Sequence, residues 1–151
     1  MKVKCLAEYP NAEQRSRLGK GFNEKQDFHV TVGREYVVLG MEFYVDSSTR
    51  GTGVWVAFLC DYEHLTSAPL CMFTITDPRV SRFWECRDSD SNIIVLWPPS
   101  FYREYYHDDL SEDVKEVVED FRQVRALIEG EFLDTPSSEV GGDNREQSEG
   151  R

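Results

Sequence analysis

An imidazole beside two carboxylates is the one place where neighbouring side chains could do chemistry by themselves, and it occurs once, at His107-Asp108-Asp109. Such a trio can take a proton from an attacking water or take part in metal-assisted hydrolysis, so a small metal-dependent hydrolase centred on His107 and Asp108 is one reading. A site of that type needs further ligands, yet His29 and His64 stand far away in the chain. Acids at the positive end of a helix dipole account for Asp108 and Asp109 without any reaction. There is no G-x-x-x-x-G-K-[ST] or G-x-G-x-x-G loop, no G-x-S-x-G elbow and no H-E-x-x-H pair. The run Arg50-Gly51-Thr52-Gly53 falls in a hairpin loop rather than between a strand and a helix start. Nucleotide binding and the common hydrolytic motifs therefore find no support.

The four cysteines, Cys5, Cys60, Cys71 and Cys86, form no C-x-x-C pair. A mixed set with His64 would have three, six and fourteen intervening residues, which matches no zinc pattern. Free, mostly buried thiols in a reducing compartment are expected, with no metal and no cofactor.

The stretch from Trp97 to Tyr106 holds five aromatic rings in ten positions, and residues 103–120 then carry Arg103 and Lys115 against eight acids, a net −6. Aromatic residues and Arg dominate the centres of protein interfaces, and carboxylates around them suit a basic partner. Tyr105, Tyr106, Asp108, Asp109, Glu112, Glu116 and Glu119 are accordingly the candidate partner-binding residues. The competing account is a solvated acidic helix face above a packed stripe. Over the whole chain 17 basic side chains stand against 28 acidic ones, −11 in all, with residues 1–40 at +2 and the remainder at −13. Such a field repels nucleic acid and anionic lipid and speeds association with cationic proteins. A third reading is an SH3-like adaptor that binds a peptide through Trp55, Trp84 or Trp97.

Strands have to hold these residues in place. Alternation predicts strands at 2–7, 28–32 and 35–45, the last with a bulge or bend at Gly40. A hairpin turn over 46–53 leads to an apolar strand at 54–60, and further strands are expected at 70–75, 82–86 and 93–97. Residues 8–27 read as a basic connecting loop. Leu110, Val114, Val117, Val118, Phe121, Val124, Leu127 and Ile128 recur at helical spacing, capped by Asp109 or Ser111 and stopped at Gly130. The expected architecture is one α+β domain over 1–133, a curved antiparallel sheet of five to seven strands, for which SH3-like is one form, with a long C-terminal amphipathic helix. Residues 134–151 are expected to be a disordered acidic tail. No apolar run is long enough for a membrane span or a signal peptide, which points to the cytoplasm.

The stretch Thr31-Val32-Gly33-Arg34-Glu35-Tyr36-Val37-Val38-Leu39-Gly40, read as T-V-G-x-x-Y-x-V-x-G, is followed by a hairpin, Trp97 and an acidic terminal helix. Over roughly residues 28–128 this resembles small immunity proteins that neutralise polymorphic or contact-dependent toxins in bacteria. The resemblance implies a non-enzymatic cytoplasmic protein whose acidic face covers the active site of a cationic toxin, often a nuclease. That family is sequence-diverse, and no functional residue carries over by motif.

Overall fold

The computed structural model describes residues 1–19, 22, 26–90 and 92–133; the expected tail at 134–151 lies outside them. In chain order the elements are β1 (Lys2–Cys5), α1 (Ala12–Arg17), β2 (Glu35–Val37), β3 (Gly40–Ser47), β4 (Gly51–Leu59), β5 (Leu65–Pro69), β6 (Phe73–Asp77), β7 (Glu85–Asp90), β8 (Ile93–Trp97), α2 (Tyr106–Ser111) and α3 (Lys115–Gly130). The fold is α+β with a C-terminal helix, and its strands form two antiparallel sheets rather than one curved sheet. The smaller has the order β2-β1-β6 and the larger β5-β4-β3-β8-β7, an arrangement that does not by itself make an SH3-like barrel.

Alternation in β1 buries Val3 and Cys5 and leaves Lys4 to solvent. Val3 pairs with Tyr36 and Ile75, and between the sheets Phe58 lies against Tyr36 and Phe73 at ring separations of 5.0 and 5.4 Å. The stretch Trp55-Val56-Ala57-Phe58 of β4 is buried throughout, as a strand in the middle of a covered sheet must be. A second core gathers Leu39, Phe101, Tyr106, Phe121 and Ile128 beneath the helices. Among the described residues one acid is buried within the larger sheet. Glu42, paired across the ladder with Trp55 and Val95, accepts from the Tyr44 hydroxyl and lies 3.3 Å from Ser67 Oγ and 3.7 Å from Arg50, whose guanidinium sits 4.2 Å from the Trp55 ring.

Several expectations are corrected. Residues 28–32 form no strand, and the expected 35–45 strand is two, because the chain passes from one sheet to the other at Val38-Leu39. Gly40 begins β3 without a bulge; its open α-carbon is required by Trp97, since a Cβ there would lie 2.5 Å from the Trp97 ring. The 8–27 loop contains α1, closed by a capping box in which Asn11 and Gln14 exchange bonds of 2.9 and 2.8 Å. A 3-10 turn, Leu70–Met72, replaces the front of the expected 70–75 strand. The terminal helix is broken. Asp113 takes a left-handed φ of 56°, a conformation that Asp tolerates, so α2 ends and Val114 starts α3 with no side-chain cap from Asp109 or Ser111. Val114 and Leu127 are exposed, while Val117, Phe121 and Ile128 remain in the core.

Past β6 the Arg79 guanidinium joins the small sheet to the end of α3. It donates from Nε to Asp77 at 2.9 Å and from Nη1 to the Glu131 carbonyl at 3.2 Å, above the Phe132 ring. The Arg79 hydrogen bonds hold the Asp77 carboxyl down to about 2, against an ordinary 3.8. A depressed carboxylate stabilises the fold above its unfolded pKa and ceases to do so as pH falls through its folded one. The stability advantage of the wild type over Asp77→Asn should therefore be full above about pH 4 and shrink between 4 and 2, as read by urea melts at each pH; an advantage constant over that window would refute the pairing.

Candidate acidic interface on the C-terminal helices

The Trp97–Tyr106 segment is held chiefly from inside. Pro99 starts a 3-10 turn over Pro99–Tyr102, and the Tyr102 hydroxyl accepts from the Trp97 amide at 3.1 Å and donates to the Glu85 carbonyl at 2.7 Å. Phe101 stacks on Tyr106 at 5.0 Å and on Phe121 at 5.9 Å. Tyr106 is 1% exposed and donates 2.9 Å to Asp120, which Arg103 also approaches at 3.4 Å. Burial, and then that hydrogen bond to a carboxylate, raise the phenol well above its ordinary pKa. Tyr106 is thus a core residue and leaves the set of surface anchors. Tyr105 is the opposite case, 65% exposed with a left-handed φ of 60° at the start of α2. An aromatic residue in that region costs about 1–2 kcal/mol, offset here by the helical bond from the Asp109 amide to the Tyr105 carbonyl at 2.8 Å.

The candidate acids line one continuous stretch. Asp108, Glu112, Glu116 and Glu119 are exposed and Asp109 is half-buried. Several carboxylates elsewhere are matched with guanidinium groups, Asp61 with Arg34 at 2.8 Å, Glu85 with Arg87 at 2.7 Å and Glu129 with Arg125 at 2.8 Å, while Glu8, Asp46 and Asp88 have no ion pair among the described residues. On the helical segment Glu119 reaches Arg122 at 3.8 Å, whereas Asp108, Glu112, Asp113 and Glu116 have no ion pair among the described residues. Unpaired acids are thus gathered along this segment, with Tyr105 at one end.

His107 packs its ring on Trp97 at 4.7 Å and on Phe101 at 5.7 Å. Desolvation against these rings lowers its pKa, against the opposing pull of Glu42 and Asp108, although the residue as a whole remains exposed. It shares with His64, Leu110, Phe121, Arg122 and Arg125 a cleft of about 330 Å³ between the β4–β5 turn and the helices. Among the described residues no three His, Cys, Asp or Glu side chains come together as a metal set, so the hydrolase reading lacks its ligands there. Trp55 is 3% exposed and Trp84 and Trp97 are half-buried, with all three indole nitrogens shielded from solvent, which removes the donors an adaptor would offer a peptide. The four thiols are free; Cys5 and Cys60 are buried, but Cys71 and Cys86 are exposed. Cys60 meets His64 through the backbone alone, at 3.0 Å.

Sequence reasoning missed the exposed aromatic residues at the opposite border of the β4–β5 turn, Tyr9, His29 and Tyr62. Their signal is the order Asp61-Tyr62-Glu63, an aromatic ring between acids in a tight turn. No family model, curated protein or solved structure matches the chain. Among the described residues no helix is long and apolar enough to cross a membrane.

Proposed function

We propose that the chain is a non-enzymatic binding protein of the toxin-immunity kind, which acts in the bacterial cytoplasm and captures a cationic toxin domain on the acidic face of α2 and α3. The observation that carries this reading is a clustering of unpaired acids: among the described residues Asp108, Glu112, Asp113 and Glu116 have no ion pair on one short segment, beside the exposed Tyr105 ring. Unpaired like charges on one segment repel each other, and a basic surface that settles on them removes that cost. Tyr105 supplies apolar area at the edge of the field.

The test is to measure binding of the basic protein encoded beside this gene by surface plasmon resonance over a salt series. Charges beyond about 8 Å are screened near physiological ionic strength, so association should slow steeply with salt. Reversing Glu112, Glu116 and Glu119 to Lys should lower the association rate by about tenfold or more and leave folding nearly unchanged, because exposed charges contribute little to stability. Tyr105→Ala should speed dissociation. Association that ignores both salt and the triple reversal would remove the interface from these helices, and phosphoester turnover that disappears in His107→Ala would make the chain an enzyme instead.

A further inference from the structure

We infer that the cavity between the β4–β5 turn and the segment around Tyr9 and His29 is an anchor pocket for one arginine side chain of the same basic partner, an inference that rests on the binding reading above. The cavity holds about 240 Å³, below the range of small-molecule sites, and suits a single long side chain. Its walls are Glu8, Tyr9, Asp27, His29, Asp61 and Tyr62, with no lysine or arginine among the described lining residues.

Three features make this a site for a cation. The first is its aromatic wall: Tyr62 is 67% exposed and meets His29 edge-on at 4.9 Å, while Tyr9, 45% exposed, lines the same space. Ring faces attract guanidinium groups, and more so where water is partly excluded. The second is that Asp61 and Asp27 are fixed in place, with Asp27 and Glu8, unlike Asp61, having no arginine or lysine partner among the described residues. Asp61 accepts from Thr31 and Tyr36 at 2.7 Å each and from Arg34 at 2.8 Å. Burial works against its ionised form, but those hydrogen bonds and the Arg34 charge outweigh it and hold the pKa below the ordinary value. Asp27 accepts from the His29 amide at 2.7 Å, which holds the His29 backbone at a left-handed φ of 52°, and Glu8 has no ion pair among the described residues. The third is continuity. Asp61 and Tyr62 border this cavity, and the next two residues, Glu63 and His64, border the cleft against α2 and α3. The pocket and the cleft against α2 and α3 therefore share the β4–β5 turn as a common wall, and a partner that reaches over that turn meets both.

The experiment is a titration of the ¹⁵N-labelled full chain with N-acetyl-arginine amide, with the matching citrulline amide as a neutral probe of the same shape, followed by amide shifts. Saturable shifts should gather at Tyr9, His29, Val30 and Tyr62 with the arginine probe, and the citrulline probe should bind at least tenfold more weakly. Tyr62→Ala should weaken the arginine probe about fivefold, the fold-change that one exposed cation–π contact represents, and Glu8→Gln should weaken it two- to threefold. Tyr62 is exposed enough that its removal should leave the spectrum dispersed, which the same data verify. Equal binding of citrulline, shifts scattered over all the acidic surfaces, or an unchanged Tyr62→Ala affinity would each overturn the pocket. Reversal of Glu112, Glu116 and Glu119 separates the two proposals. Probe binding within twofold of wild type after that reversal supports an independent pocket, even if the helices prove not to bind a partner. Loss of probe binding on the reversal would show that only the general negative field is at work.

Discussion

Phe121→Ala should destabilise the protein by about 3–5 kcal/mol, the usual cost of emptying a buried aromatic site. The ring is 8% exposed and forms the end of a stack with Phe101 and Tyr106, so it joins the 3-10 turn, α2 and α3 in one contact set. Its removal leaves a void beneath α2 and α3, next to the ring whose hydroxyl bonds Asp120. The measurement is urea unfolding, in which the midpoint should fall while the slope is kept. A loss below about 1 kcal/mol would mean that the helices do not rest on this ring, and the packing described above would be wrong.

Gly51→Ala should cost about 2–5 kcal/mol, from a left-handed conformation that alanine disfavours by about 1–2 kcal/mol and overpacking worth about 1–3 more. Gly51 has a φ of +63°, and a Cβ there would lie 2.3 Å from the Leu18 carbonyl carbon, 2.5 Å from its oxygen and 2.6 Å from the Arg17 oxygen. These are backbone atoms at the end of α1, so no rotamer relieves the contact. Gly33→Ala is the control: its φ of +86° carries the same conformational penalty, but nothing lies within 4 Å. Thermal melts of both variants should show the larger drop for Gly51→Ala. Equal drops would show that α1 does not seat against the hairpin.

What could be read from the residues beforehand follows from how much each signal depends on distant contacts. β8 was found at its observed bounds because Ile93-Ile94-Val95-Leu96-Trp97 is apolar and enclosed by turn formers. The β3–β4 hairpin was found for the same reason. α1 escaped because it buries no residue, and its only sign is the Asn11/Gln14 cap. β5 escaped because Leu65-Thr66-Ser67-Ala68-Pro69 has little alternation, and its proline is tolerable only since the strand lies at a sheet edge. The helix break left the apolar periodicity intact, so Asp113 gave no warning. At the candidate site charge was legible because it sums along the chain. Tyr105 and Tyr106 were not separable, since which of two adjacent rings turns inward depends on the backbone φ of Tyr105 and on Asp120 fourteen residues after Tyr106.

Val38 and Leu39 are neighbours in the link between β2 and β3, yet Val38 is fully buried in the core between the sheets and Leu39 in the core under the helices. Their amides bond to the Met1 and Ala57 carbonyls, so each is also fixed along the chain. A single inserted or deleted residue at this junction would shift the whole of β3 by one place and turn every side chain to the wrong face, Glu42 included. The turn between β3 and β4 is held from outside instead, by Arg50 on the Trp55 ring and by Gly51 against the end of α1. Chain length is therefore fixed at the crossing between the sheets, and a reporter peptide spliced in there would cost the protein its fold.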